Sequence, residues 1–160
     1  MRKDTLRIEE LSELIVSSMQ DIFKDNLLAV IVFGSSVYLK EGKDIDVIVI
    51  VDEDLSIKEK LHFEYKISTI FCKRYKVCNL DVHLFSLNDF IENLEVGTFL
   101  SGLALGYKII FDRVGVEMYI LNFLKKLSKE DYVLHNEYGS WDLGFYARLT
   151  LRNKKKRRNG

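Results

Sequence analysis

The sequence predicts an α+β domain in which helices cover buried strands, and two patterns point to it. Leu27 to Phe33 and Ile45 to Val51 are short apolar runs in which Asp46 is the one charged residue. A run that is apolar on both faces is typical of a central strand covered on both sides. Around these runs, longer segments carry apolar residues at helical spacing. With 160 residues, 48% hydrophobic and 30% charged, the chain has the length and composition of one globular domain.

Two helices are predicted in the first half of the chain. The first begins near Asp4 or Thr5, either of which suits an N-cap, and ends near Asp25. Its apolar stripe consists of Leu11, Leu14, Ile15, Met19, Ile22 and Phe23. The second runs from Ile57 to about Tyr75, where apolar residues form a wide face among lysines and glutamates.

A third strand is predicted from Val77 to Phe85 because its residues alternate in polarity. The alternation directs Cys78, Leu80, Val82 and Leu84 to one face. Asn79, Asp81, His83 and Phe85 then lie on the other face. Asp81 and His83 are therefore expected to point the same way.

The second half of the chain predicts more helix with one further strand. Leu87 to about Leu105 is expected to be mainly helical with a break near Gly97, and Tyr107 to Phe111 to form the fourth strand. Another amphipathic helix carries Val116, Tyr119, Ile120, Phe123, Leu124 and Leu127. Near the end, Trp141, Phe145 and Leu149 fit a helical stripe, although Phe145 to Leu151 also fits a short strand; the helix is preferred.

Cysteine usage and hydropathy limit the class of protein. Cys72 and Cys78 have no second cysteine pair and no histidines at metal-ligand spacing, so we predict two reduced, structural thiols rather than a disulfide framework or a zinc site. No apolar run approaches the roughly 20 residues that span a bilayer, and the N-terminus has no apolar leader segment. The sequence therefore predicts a cytoplasmic protein with no membrane contact.

The net charge of zero conceals an uneven distribution. From Leu143 onward there are seven basic residues and no acid, which leaves 17 basic residues against 24 acidic ones in the rest of the chain. We therefore divide the chain into a main domain, residues 1–138, and a C-terminal extension, residues 139–160, that ends in a solvated, mobile basic tail. Such a tail either binds RNA or another phosphate-rich partner, or only aids solubility.

The chemically informative residues lie at the start of the second apolar strand. Asp44 and Asp46 are two positions apart on extended chain, so both side chains leave the same face. Paired carboxylates repel each other unless a cation neutralises them, and Mg²⁺ prefers such hard oxygen ligands. Two ions of this kind can hold the attacking and leaving oxygens of a phosphoryl displacement.

Other residues complete this candidate site. Gly34 lets the backbone approach a ligand, and with Ser35 it suits an anion-binding loop for triphosphate oxygens. Asp81 offers a third carboxylate, as a metal ligand or as the base that accepts a proton from an attacking hydroxyl. His83 shares its face, and a hydrogen bond to a neighbouring group is favoured over a metal contact for it.

The order of these features resembles the nucleotidyltransferase superfamily with the DNA polymerase β-like fold, in particular its minimal nucleotidyltransferases. A hydrophobic strand, Gly-Ser, a short loop, Asp-x-Asp and a later third acid occur in that order, and the resemblance covers roughly Leu6 to Asp112. It implies a mixed β-sheet flanked by helices. It further implies that Gly34 and Ser35 hold phosphates and that Asp44, Asp46 and Asp81 form the catalytic triad around two Mg²⁺.

Some positions depart from the usual form of that family. Val37 stands close to where many members carry an arginine, and Lys43 precedes the first aspartate where serine is common. One phosphate contact is therefore missing. Lys40 or Lys43 is the nearest replacement along the chain, and a partner protein could supply another.

Three functions are compatible with these residues. The first is a metal-dependent enzyme that transfers a nucleoside monophosphate from a triphosphate, ATP being the first choice, to an unknown hydroxyl acceptor. The second, also implied by the resemblance, is an antitoxin that neutralises a HEPN-type ribonuclease toxin, with or without adenylylating it. The third is a nucleic-acid-binding protein with a relic site that depends on the basic tail.

Overall fold

A four-stranded mixed sheet forms the centre of the molecule. The computed structural model describes residues 8–34, 37, 44–136 and 139–160. The strands are β1 (Leu27–Phe33), β2 (Ile45–Val51), β3 (Leu80–Ser86) and β4 (Tyr107–Asp112), in the order β3-β2-β1-β4. β1 is antiparallel to both β2 and β4, whereas β2 and β3 are parallel. The predicted mixed sheet is therefore confirmed.

Helices cover both faces of this sheet. On one face lie α1 (Ile8–Phe23) and α2 (Ile57–Tyr75), which pack on the Val side chains of β1 and β2. The other face is covered by α3 (Leu87–Glu92), a 3-10 helix (Phe99–Leu105), α4 (Val116–Leu127) and α5 (Leu143–Arg158). All seven residues of β1 are buried because this strand lies between two others and has helices on both sides. The prediction of a doubly covered central strand is confirmed.

Most predicted elements occur close to their predicted positions. β1, β2 and α2 have the expected bounds, and the break near Gly97 separates α3 from the 3-10 helix. β3 begins at Leu80 rather than Val77. The residue after α2, Lys76, caps the helix in a left-handed conformation, and the following residues form the turn that leads into the strand. The alternation of β3 is confirmed, since Leu80, Val82 and Leu84 are buried.

The prediction of two reduced cysteines is wrong. Cys72 and Cys78 form a disulfide, with their Cα atoms 4.1 Å apart. The left-handed turn at Lys76 reverses the chain after α2 and brings the two residues together. A turn of this kind cannot be read from the spacing of two cysteines.

The end of the chain differs from prediction in two respects. Val133–Asn136 and Gly139–Asp142 form an antiparallel hairpin, β5 and β6, so Trp141 belongs to a strand and not to the helical stripe. α5 then continues through the basic segment to Arg158, where a mobile tail was expected.

Contacts with α4 explain why the basic segment is helical. Glu117 accepts a hydrogen bond from Lys154 Nζ at 2.9 Å, and one of its oxygens lies 3.8 Å from Arg158 Nη2. At the other end of α5, Leu143 and Ala147 belong to the buried core. The boundary predicted at residue 138 falls inside the β5–β6 hairpin, and it stays a prediction.

The outer edge of β3 is bonded to side chains of α2. The backbone N–H of Leu84 donates to Glu64 Oε1 at 2.9 Å, and Ser68 Oγ donates to the carbonyl of Leu80 at 3.2 Å. These bonds fix β3 against the helix that precedes it. Along the parts of the chain that are described, no helix has both the length and the apolar character to cross a membrane.

A single ion pair joins α2 to α3 and makes a small, pH-dependent contribution to stability. The Lys60 ammonium donates to the Asp89 carboxylate and lowers the pKa of Asp89 below its ordinary value of 3.8. Both groups are partly exposed, so we expect Lys60→Met to cost less than about 1 kcal/mol at neutral pH. Because the pKa of Asp89 is lower in the folded than in the unfolded chain, the ion pair stabilises the fold fully at pH values above the unfolded-state pKa. This stabilisation is lost as the pH falls through the folded-state pKa.

Urea unfolding at pH 7 and at pH values below 3.8 measures this contribution. The stability difference between the wild type and Lys60→Met should shrink on acidification. Lys58→Met, on the same helix and exposed, is the matched control and should show no such change. A difference that is independent of pH would rule out the pair as its source.

Candidate metal and nucleotide site

Strand pairing brings the predicted site residues to one end of the sheet. Phe33, the last residue of β1, lies opposite Asp46 on β2, and Asp46 lies beside Asp81 on β3. Gly34 follows Phe33 directly. The end of β1 and the starts of β2 and β3 therefore meet at the same place.

All these side chains lie on one face of the sheet. Asp46, Ile48 and Ile50 are spaced two residues apart on β2, so their side chains share one face. Ile48 and Ile50 are buried on the side that carries the 3-10 helix and α4. His83 pairs with Ile48, two residues beyond Asp81 on β3, so it shares that face. The hydrophobic layer thus ends in a polar group of two carboxylates and one imidazole.

The three polar side chains form a compact cluster. His83 Nε2 lies 3.6 Å from Asp46 Oδ1 and 3.6 Å from Asp81 Oδ2. One ligand atom from each of the three residues lies within 4.8 Å of the others, a spacing that fits a shared metal ion. His83 Nε2 is buried and has no hydrogen-bond partner among the described residues. Two oxygens and one nitrogen are a donor set suited to a divalent cation.

Gly34 is in contact with the carboxylate of Asp46. Its φ is +82°, and a Cβ added there would lie 2.7 Å from Asp46 Oδ2. Only glycine provides both this backbone conformation and the space for the carboxylate. The backbone at the end of β1 consequently lies beside the acidic cluster.

Two phenylalanines hold the imidazole of His83. The ring of Phe99, from the 3-10 helix, has its centroid 4.3 Å from that of His83 and 5.2 Å from that of Phe33. The Phe33 and Phe99 rings meet edge to face at 88°. Packing of this kind restricts the rotamer of His83 and keeps Nε2 directed at the carboxylates.

The predicted site residues are not all placed in this cluster. Asp44 is exposed immediately before β2 and lies outside the group formed by Asp46, Asp81 and His83. Ser35, predicted to hold phosphates, lies outside the described residues, as do Ser36, Tyr38, Lys40 and Lys43. The assignment of metal and phosphate roles to Asp44, Asp46, Asp81, Gly34 and Ser35 stays a prediction.

His83 is the residue whose place the sequence understated. Its position two residues after Asp81 on an alternating strand was the available signal. A hydrogen bond to a neighbour was the favoured role, but both carboxylates lie at 3.6 Å, beyond hydrogen-bond range.

A cleft with basic side chains is lined in part by Val37, three residues after Gly34 in the sequence. Its volume is about 250 Å³, and its walls come from Val37, the start of β4 and the second half of α5, including Lys154 and Arg157. Lys154 Nζ lies 3.9 Å from the centre of the Tyr107 ring. Burial, followed by the nearby Glu117 carboxylate, raises the pKa of Tyr107, so this phenol stays neutral. No feature of the sequence alone predicts that α5 lies beside Val37 and Tyr107.

A comparison with protein families identifies the domain. The model of the family "Polymerase beta, Nucleotidyltransferase" matches residues 17–98, just over half of the chain. The chain belongs to this nucleotidyltransferase family. The matched segment contains β1, β2 and β3, and therefore Gly34, Asp46, Asp81 and His83. The predicted polymerase β-like fold and the prediction of a nucleotidyltransferase are confirmed.

Several solved structures are similar to this chain at low identity. One is a toxin-antitoxin with AMP-PNP, with 15% identity over 74% of this chain and 87% of the other and a TM-score of 0.49. Another contains a tri-AMPylated Shewanella oneidensis HEPN toxin in complex with MNT antitoxin, with 16% identity, coverage of 76% and 88%, and a TM-score of 0.49. A spectinomycin adenyltransferase from Enterococcus faecialis with ATP and spectinomycin shows 17% identity, coverage of 75% and 67%, and a TM-score of 0.43. A search of curated proteins finds no match.

Proposed function

We propose that this chain transfers a nucleoside monophosphate, from ATP in the first instance, to a hydroxyl acceptor and releases pyrophosphate. The observation that carries the proposal is the contact of Gly34 with Asp46, beside Asp81, in a nucleotidyltransferase domain. This contact combines a backbone suited to phosphate with carboxylates suited to metal. Both are needed to hold a metal-bound triphosphate.

Asp46 and Asp81, with Asp44 at the entrance of β2, would hold divalent metal, two Mg²⁺ ions in the proposed arrangement. Bound metal would neutralise the triphosphate and the charge that develops on transfer. Gly34 and Ser35 would bind phosphate oxygens through their backbone amides. Catalysis would consist mainly of positioning and charge stabilisation, which is why few protein groups are required.

The basic cleft offers positive charge that the loop sequence lacks. Val37 stands close to where many members of the family carry an arginine, and the same Val37 lines a cleft with Lys154 and Arg157. We assign Arg157 to the triphosphate or to an anionic acceptor, because the Lys154 ammonium is already bonded to Glu117. None of the comparisons supports the prediction that the basic end of the chain binds RNA.

Calorimetric titration with ATP and Mg²⁺ tests the proposal. We expect metal-dependent binding by the wild type and at least about a tenfold loss of affinity in Asp46→Asn, because one charge in the metal site is removed. Asp52→Asn, an exposed aspartate just beyond the other end of β2, is the matched control and should bind normally. Unaffected binding by Asp46→Asn, or no binding of any triphosphate by the wild type, would refute the proposal.

A second candidate is an antitoxin role against a HEPN-type protein, which would then be bound or serve as the acceptor. An exposed apolar stripe on α2 favours a protein partner. Ile57, Leu61 and Tyr65 follow one another at intervals of four residues and are 79%, 60% and 76% exposed. A stripe of this kind on the surface of a helix is typical of a protein interface.

A growth-rescue experiment distinguishes binding of a toxin from its modification. The cells express a HEPN-type ribonuclease encoded by a neighbouring gene, together with this chain or its variants. If the chain acts by binding alone, the Asp44→Ala and Asp46→Ala double variant rescues growth and Leu61→Asp does not. If it modifies the toxin, the double variant also fails. Lys58→Asp, on the same helix, controls for the added charge. A wild-type chain that does not rescue growth would exclude this candidate.

A further inference from the structure

The imidazole of His83 lies between the two carboxylates of the candidate metal site. Its Nε2 has equal distances of 3.6 Å to Asp46 Oδ1 and Asp81 Oδ2. That nitrogen is buried and makes no hydrogen bond to any of the described residues, although one quarter of the side chain as a whole is exposed. A buried polar atom that makes no hydrogen bond requires an explanation, and an absent ion is one of the ordinary explanations.

We propose that His83 is itself a metal ligand, that its Nε2 completes an O,O,N set with Asp46 and Asp81, and that it makes the site prefer a transition-metal ion over Mg²⁺. The proposal deepens the proposed function, since it concerns the same carboxylates. It assigns a ligand and a metal preference that an all-carboxylate site would lack.

The distances favour a shared ion over a direct contact. At 3.6 Å, the nitrogen and each oxygen are too far apart for a hydrogen bond. Two ligand atoms bound to one ion at about 2.1 Å each are separated by roughly 3 to 4 Å, depending on the angle between them. Both distances from Nε2 to the carboxylate oxygens, 3.6 Å, fall in that range.

The orientation of the imidazole is built into the fold. Phe99 packs on the ring of His83, and Phe33 supports Phe99 from the end of β1. These contacts keep Nε2 on the side of the carboxylates. A ring held in this way loses little conformational freedom when it binds an ion, which favours ligation.

Ligand chemistry then sets the preference among metals. Mg²⁺ is bound by oxygen, whereas imidazole nitrogen is a common ligand for Zn²⁺, Ni²⁺ and other first-row ions. For a given mixed site, affinity rises from Mn²⁺ through Fe²⁺ and Co²⁺ towards Cu²⁺. His83 is therefore expected to raise the affinity for Co²⁺ and Zn²⁺ far more than the affinity for Mg²⁺.

Nitrogen NMR of the wild-type chain with Zn²⁺ is the first test, because it requires no substitution. The chain has three histidines, so each imidazole can be followed separately. We expect the Nε2 resonance of His83 to move to the metal-bound range, while His62 and His135 keep their free positions. If Nε2 of His83 keeps its free position at saturating Zn²⁺, or if no Zn²⁺ binds, the proposal is wrong.

A pair of variants provides the second test. Calorimetry with Co²⁺ alone and with Mg²⁺ alone should show that His83→Ala loses at least about tenfold in Co²⁺ affinity and much less in Mg²⁺ affinity. His62→Ala, which removes an exposed histidine from α2, should bind both ions as the wild type does. Equal losses for Co²⁺ and Mg²⁺ in a folded His83→Ala would overturn the proposal, since they would indicate general damage to the site.

The outcomes distinguish this proposal from the proposed function. If the wild type binds Co²⁺ through His83 but binds no triphosphate, the ligand assignment stands and the enzymatic proposal fails. If ATP and Mg²⁺ bind and depend on Asp46, but the ratio of Co²⁺ to Mg²⁺ affinity is the same in His83→Ala, the enzyme stands and the ligand assignment fails.

Discussion

A Gly34→Ala variant should release pyrophosphate from ATP about a hundredfold more slowly than the wild type, because a displacement of about 1 Å at a reacting centre can cost that much. The new methyl group would lie 2.7 Å from Asp46 Oδ2, so the carboxylate or the turn has to move. Asp46 belongs to the middle of the site, between Gly34 and Asp81. Under the proposed function, either movement would disturb the metal and the phosphate positions together.

The matched control is Gly115→Ala, which separates this contact from backbone strain. Gly115 has a φ of +74°, close to the +82° of Gly34, but a Cβ there meets nothing within 4 Å. Both variants therefore carry a similar cost for placing alanine at positive φ. Pyrophosphate release at a normal rate by Gly34→Ala, or an equal loss in Gly115→Ala, would show that the contact with Asp46 is unimportant.

The second large effect concerns stability and is expected at Gly144. This residue lies in the first turn of α5, where a Cβ would overlap the backbone carbonyl oxygen of Glu130. Glycine to alanine inside a helix normally stabilises by about 0.5–1 kcal/mol. Here the neighbouring atom is backbone and cannot rotate away, so we expect Gly144→Ala to be destabilised by about 2 to 3 kcal/mol. α5 would have to shift from the turn that follows α4.

Thermal or urea unfolding measures this effect, with Gly102→Ala as the control. A Cβ at Gly102, in the 3-10 helix, would meet Phe33 Cε2 at 3.6 Å, an ordinary contact. Its stability should change by less than about 1 kcal/mol. A Gly144→Ala variant as stable as Gly102→Ala would mean that the packing of α5 against the turn at Glu130 is loose.

The sheet was largely predictable because the sequences of its central strands fit no other buried secondary structure. Leu27 to Phe33 is too short for a helix and apolar on both faces, so burial on both sides is the one stable solution. The alternation in Leu80 to Ser86 likewise indicates which side chains share a face. The position of Asp81 beside Asp46 follows only from the parallel pairing of β2 and β3, which is a long-range contact that local pattern does not encode.

Other features depended on contacts between distant residues. The helix at the basic end forms because Glu117 on α4 binds Lys154, and a like-charge block carries no sign of such a partner. The disulfide depends on a left-handed turn at Lys76. Lysine rarely adopts a positive φ, so the sequence does not indicate this turn. The orientation of the His83 ring depends on Phe99, which belongs to a separate 3-10 helix.

The side chains that α2 contributes to β3 decide how this protein can associate. An edge strand ordinarily presents free amides and carbonyls on which another strand can assemble. At Leu84 and Leu80 these groups already bond to Glu64 and Ser68. A second strand therefore cannot extend the sheet there without first breaking those bonds, so the strand that carries Asp81 and His83 is protected from sheet-to-sheet dimerisation. A partner that binds at this edge has to approach through side chains.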